Sequence, residues 1–139
     1  MNLTNNFTRE EFLKSRFFNI EEQIRVNNSY LDDINYLEPN LILLANNLQA
    51  LRDFLNTPIS INISYRPKWY ELSRGRSGNS QHVKFKAADI TTSKYSPNQV
   101  ADAIELLISQ GKMQEGGLGR YNSFTHYDIR NKKSRWDNR

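Results

Sequence analysis

Cysteine is absent from these 139 residues. Disulfides and thiolate metal sites are therefore excluded, and the redox compartment is left undecided. Histidine is nearly absent too: only His82 and His126 occur. No apolar run is long enough to span a bilayer, so membrane insertion is not expected. The opening residues, Met1 to Phe7, lack the basic stretch and apolar core of a signal peptide. That predicts synthesis in the cytoplasm without Sec-type export. Glycine and proline are sparse, at six and four residues, and no low-complexity tract, repeat or linker divides the chain.

What is present fits a single domain over residues 1–139, large enough for a real core. Hydrophobic residues make up 37% and charged residues 24%, with a net charge of +4. A modest excess of this kind serves solubility or attraction to a polyanion, and no long Lys/Arg run singles out nucleic acid. Trp69, Tyr70, Arg74 and Arg76 do form an aromatic-basic stretch on which bases could stack. A loop lining a peptide cleft accounts for the same residues, so no nucleic-acid partner is expected.

The pattern predicts an α+β fold, a small antiparallel sheet packed by about three helices. Thr8 and Glu11 form a capping box with Phe7 and Phe12 as a hydrophobic staple, opening a helix near 8 to 14. The polar stretch 19–39 holds at most a short helix around Glu21 to Val26. Leu41, Leu44, Ala45, Leu48, Leu51 and Leu55 recur at helical spacing after Pro39, giving a helix near 40 to 55. Ile59 to Tyr65 alternates as a strand. Residues 66–81 read as a loop, and Ala87 to Ile90 as a short strand. Ser96, Pro97 and Gln99 announce a helix near 97 to 110. Gly116-Gly117-Leu118-Gly119 reads as a turn, and Phe124 to Arg130 as the last strand.

The two histidines sit in segments suited to a metal. Two imidazoles and one carboxylate, with a fourth position for water, commonly hold a catalytic zinc. His82 and Asp89 would lie about 10.5 Å apart along a helix, too far for one ion, so their segment must bend or turn back as a strand. His126 comes from a distant strand. Alternation puts His126, Asp128 and Arg130 on one face and Thr125, Tyr127 and Ile129 on the other. Asp128 is thus placed to orient a ligand or to accept a proton from bound water.

Ser80-x-His82 through Ala87-x-Asp89 resembles the S-x-H-x-x-G-x-A-x-D motif of the zinc D-Ala-D-Ala carboxypeptidases and their phage endolysin relatives. Asn6-Phe7-Thr8 with Glu11-Phe12 is similar to the N-F-T-x-x-E-F opening of that family, and Ser64-Tyr65-Arg66 to its S-G-Y-R segment. Gly116-Gly117-Leu118-Gly119-Arg120-Tyr121, Phe124 to Arg130 and Trp136 resemble its closing G-G-x-G-x-Y…F-x-H-x-D-x-R…W. The resemblance covers most of the chain in order. It implies a lysostaphin- or hedgehog-like fold and Zn2+ held by His82, Asp89 and His126. It also implies that Arg66 contacts substrate or oxyanion, that peptidoglycan peptides are the substrate, and that the protein is a phage or prophage lysin, expected as a monomer. Endopeptidase and carboxypeptidase action stay equally open. Asp128 is the expected general base. Two positions depart from the pattern: Phe85 replaces the glycine, which predicts a different local chain path or a roomier pocket, and Ser123 stands where many relatives have a catalytic carboxylate. Glu115 is the nearest upstream substitute, and a metal-binding module of the same fold without efficient hydrolysis is the alternative.

Overall fold

The computed structural model describes residues 2–139. Helices α1 (Arg9–Leu13), α2 (Ile20–Leu55), α3 (Lys68–Ser73) and α4 (Pro97–Ser109) accompany strands β1 (Ser60–Ile63), β2 (Ala87–Thr91), β3 (Gly117–Arg120), β4 (Thr125–Asp128) and β5 (Ser134–Asp137). The strands form one sheet in the order β1-β2-β4-β3-β5. All neighbours are antiparallel except β3 and β5, which run parallel. The fold is α+β, as its local signals indicate.

Local chemistry sets the helix starts. Glu11 Oε2 accepts from Thr8 N at 2.7 Å, and the Phe7 and Phe12 rings lie 6.0 Å apart, as the staple requires. Ser96 Oγ accepts from Gln99 N, while Gln99 Oε1 accepts from Ser96 N, with Pro97 in the first helical turn.

Four local expectations are corrected. Pro39 does not begin a helix; it lies inside the 36-residue α2. The buried stripe of α2 runs through Val26, Tyr30, Leu37, Leu41, Leu44, Leu48, Leu51 and Leu55, keeping its spacing on both sides of the proline. Pro39 itself is exposed, so its ring and the lost backbone hydrogen bond face solvent, and packing of the stripe outweighs the local penalty. The second correction is α3, a short helix within the stretch expected to be a loop. The third is Gly117–Arg120, which is strand β3 rather than a turn. Last, β5 follows the strand expected to end the sheet.

Alternation along the strands divides the sheet into two chemically distinct faces. Ala88 and Ile90 of β2, Leu118 of β3 and Tyr127 of β4 join the core beneath α2 and α4. Asp89, Gly117, Gly119, His126 and Asp128 fall on the opposite face. Thr125 Oγ1 donates to Pro97 O at 2.7 Å, tying β4 to the start of α4. Among the described residues, no helix is long and apolar enough to cross a membrane.

Candidate metal centre

Asp89 and His126 are direct register partners across the β2–β4 pair. Facing residues on neighbouring antiparallel strands bring their side chains within about 5 Å of each other. Here Asp89 Oδ1 lies 3.0 Å from His126 Nδ1. His82 arrives from a tight turn just ahead of β2, the bend that seven-residue spacing demands. Its Nδ1 donates to Ser64 O at 2.8 Å, which aims Nε2 at Asp89 Oδ1, 3.5 Å away. The turn is held on all sides: Ser80 Oγ accepts from His82 N, Arg66 N donates to His82 O, and the buried Ser64 hydroxyl donates to Ala87 O.

His82, Asp89 and His126 offer ligand atoms that all lie within 4.8 Å of one another. Four ligands at about 2 Å around a tetrahedral ion stand roughly 3.3 Å apart. The observed separations bracket that figure, and the donor set is nitrogen and oxygen, so the residues fit a borderline divalent cation. Burial holds His82 below the usual imidazole pKa, favouring the neutral form a metal requires. Burial also opposes the charge on Asp89, but hydrogen bonds from His126 and His82 outweigh it and keep this carboxyl well below its ordinary range.

Asp128 stands behind the centre. Its Oδ2 accepts from His126 Nε2 at 2.7 Å and from Arg130 Nη2 at 2.7 Å. Its Oδ1 accepts from Gly117 N, Arg130 N and Arg130 Nε. Asp128 is fully buried. Burial opposes its charge, yet Arg130 and His126 override that and hold its pKa far below the usual carboxylate range. Two glycines make room for this arrangement. A Cβ on Gly117 would overlap the Asp128 carboxylate, and one on Gly119 would overlap the Trp136 ring. Trp136, from the unforeseen β5, packs 4.9 Å from the His126 ring, and its Nε1 donates to Tyr121 Oη at 2.9 Å.

These groups floor a cleft of about 400 Å3 whose walls include Arg66, Gln81, Tyr121, Phe124 and Trp136. Arg66 is held from behind by Glu71, with Nε 3.8 Å from Glu71 Oε1. Glu71 is itself buried and accepts from Arg76 Nη1 at 2.7 Å. Neither Ser123 nor Glu115 lines the cleft. Glu115 instead pairs with Arg135 at 2.7 Å and caps Gly116 N. Among the described residues of the cleft wall, Asp89 is the sole carboxylate.

Phe85 keeps the left-handed backbone that suits a glycine, at φ +60°. Neither a detour of the chain nor a wider cleft is needed. The ring is fully buried on the far side, stacked on Tyr65 at 4.8 Å and 5° and edge-on to Tyr30. The two aromatics of the aromatic-basic stretch are likewise turned inward, while Arg74 and Arg76 stay exposed. Trp69 donates to Ser29 Oγ under the Arg25 guanidinium, and Tyr70 is buried edge-on against Phe18.

Sequence reasoning missed Gly117, Gly119 and Glu71 as supports of the site, and Tyr121 and Trp136 as cleft walls. The G-G-x-G-x-Y and terminal tryptophan of the closing motif carried the signal for all but Glu71. A search of curated proteins finds no match to the chain. The family model described as Peptidase M15, a family of metallopeptidases, matches residues 5–128, and the chain belongs to that family.

Proposed function

We propose that this protein is a zinc-dependent peptidase that cuts peptidoglycan stem or cross-link peptides, acting as one domain in the manner of a phage or prophage lysin. The observation that carries this reading is the convergence of His82, Asp89 and His126 at the floor of a cleft with a half-buried arginine, Arg66, on its wall. The match to the metallopeptidase family supports it. The net charge of +4 suits residence on an anionic wall.

His82 Nε2, Asp89 Oδ1 and His126 Nδ1 would hold the ion, because the other imidazole nitrogens are committed to Ser64 and Asp128. When bound, zinc supplies Lewis acidity and a water of lowered pKa. Arg66 presents a guanidinium that clamps a substrate carboxylate or the developing oxyanion. Tyr121 Oη accepts from Trp136 on the cleft wall, which leaves its own proton to donate to an oxyanion or a leaving amine. Asp128 acts as the orienting partner of His126: both of its oxygens are filled by donors, which removes the lone pair a general base needs.

A second reading, a metal-binding module with weak turnover, is favoured by one observation: no carboxylate other than Asp89 lines the cleft among the described residues. Digestion of purified peptidoglycan by wild type and His126→Ala, with metal content measured on both, separates the two. Zinc at one per chain, with fragments from the wild type alone, supports the peptidase, and fragment masses give the bond. Stoichiometric zinc with no fragments from any wall type supports the module.

A further inference from the structure

The cleft does not end at the metal centre. A second lobe of about 400 Å3 continues from it, sharing Arg66, Asp89 and Phe124 and walled by Ile63 and Tyr70. Two further guanidinium groups, Arg74 and Arg76, line this lobe. Arg74 Cζ lies over the Tyr70 ring, 4.6 Å from its centroid, and Arg74 pairs with Glu22 at 3.0 Å. Arg76 shares the single buried carboxylate of Glu71 with Arg66. The three guanidinium groups meet the carboxylates of Glu71 and Glu22, while Asp89 at the edge of the lobe is turned to the two histidines of the metal centre. Both loop arginines are partly exposed, with side-chain accessibilities of 42% and 48%, so their remaining N–H donors reach the lobe.

We propose that this lobe is a subsite for a second free carboxylate of the peptide substrate, held by Arg74 and Arg76 while Arg66 serves the reacting end. The inference rests on the peptidase reading and deepens it. Its chemistry is that of a planar guanidinium fork meeting a carboxylate, against an apolar wall that takes the aliphatic part of the same residue. An uncharged amide at that position offers one acceptor oxygen and no charge. The site should therefore discriminate acid from amide forms of one peptide. Glu22 competes with the ligand for Arg74, so removing its charge should strengthen binding.

The test uses N-acetyl-L-Ala-γ-D-Glu-L-Lys-D-Ala-D-Ala and its glutamate α-amide. Each is titrated into the zinc-loaded protein by NMR, with cleavage followed in the same tubes. The acid should bind about tenfold more tightly than the amide. Arg74→Gln should shrink that ratio towards one, weakening the acid far more than the amide. Glu22→Gln keeps the helix cap and should widen the ratio, a gain that a misfolded variant does not give. Equal affinities in the wild type overturn the proposal, as does the absence of saturable binding by either peptide. Cleavage without acid preference overturns the subsite but keeps the peptidase reading. Acid preference without cleavage supports the subsite and removes this linear stem peptide as the substrate that is cut, leaving the peptidase reading to the wall digestion above.

Discussion

Asp128 Oδ2 lies 2.7 Å from His126 Nε2, on the side of the imidazole turned away from Asp89. This carboxylate–imidazole contact fixes which nitrogen is free for a metal and how the ring is aimed. Removing such a partner commonly costs 10- to 100-fold in metal affinity. Asp128→Asn should therefore weaken zinc binding by about that factor while the fold persists, read by chelator competition and circular dichroism. A general base would behave otherwise: turnover would collapse with zinc affinity unchanged. That outcome would return Asp128 to the chemical step.

Glu71 holds two arginines with one buried carboxylate. Burial opposes its charge, but the Arg76 hydrogen bond and the Arg66 charge outweigh that and lower its pKa below the ordinary 4.5. A group depressed in the folded state adds stability that is fully present above the unfolded pKa. The contribution is lost as pH falls through the folded value. Glu71→Gln should destabilise the protein by about 2–4 kcal/mol at neutral pH, because it strands partly buried positive charge. The deficit should begin to shrink once pH falls below the unfolded carboxyl value of about 4.3, and should vanish as pH falls through the lower folded value. Urea unfolding at pH 7 and pH 3.5 checks both, and a deficit that stays constant with pH would contradict the ion-pair account.

Phe85 sets backbone strain against aromatic packing. A non-glycine residue in the left-handed region costs about 1–2 kcal/mol, whereas deleting a fully buried phenylalanine ring costs about 3–5 kcal/mol. Phe85→Gly should therefore be net destabilising by roughly 2–3 kcal/mol, although it restores the residue of the family motif. The ring lies against Tyr65 and Tyr30, away from the ligands, so zinc affinity should change less than threefold. Thermal unfolding and zinc titration on one preparation test the two halves of this statement.

The candidate ligand segments and the helix caps were legible because each is a local chemical pattern. A capping box at Thr8 and Glu11, or His82 and Asp89 flanking two alanines, needs no knowledge of distant chain. What escaped depends on contacts far apart in sequence. The run of α2 through Pro39 is decided by a stripe from Val26 to Leu55 that packs on several elements, and a proline on the exposed side cannot break it. Gly116 to Gly119 carries the composition of a turn. Gly117 and Gly119 are glycines because Asp128 and Trp136 press on β3 from β4 and β5. Glu71 stands five residues from Arg66 and Arg76 in sequence, and only the folding of α3 turns that spacing into a shared buried ion pair.

Gly117 tests whether β3 is part of the metal centre or only its neighbour. Its backbone N–H donates to Asp128 Oδ1 at 2.9 Å, and a methyl group at its Cα would occupy the position of that carboxylate. Gly117→Ala must then push Asp128 away from His126, since the backbone of a paired strand yields less readily than a side chain. The variant should lose zinc affinity about as much as Asp128→Asn, on the order of 10- to 100-fold. The double variant should be no worse than either single one, because both remove the same contact and their effects cannot add. Chelator competition on the four proteins of this cycle gives the coupling directly. Additive losses would mean that Gly117 acts on the site by a route other than Asp128.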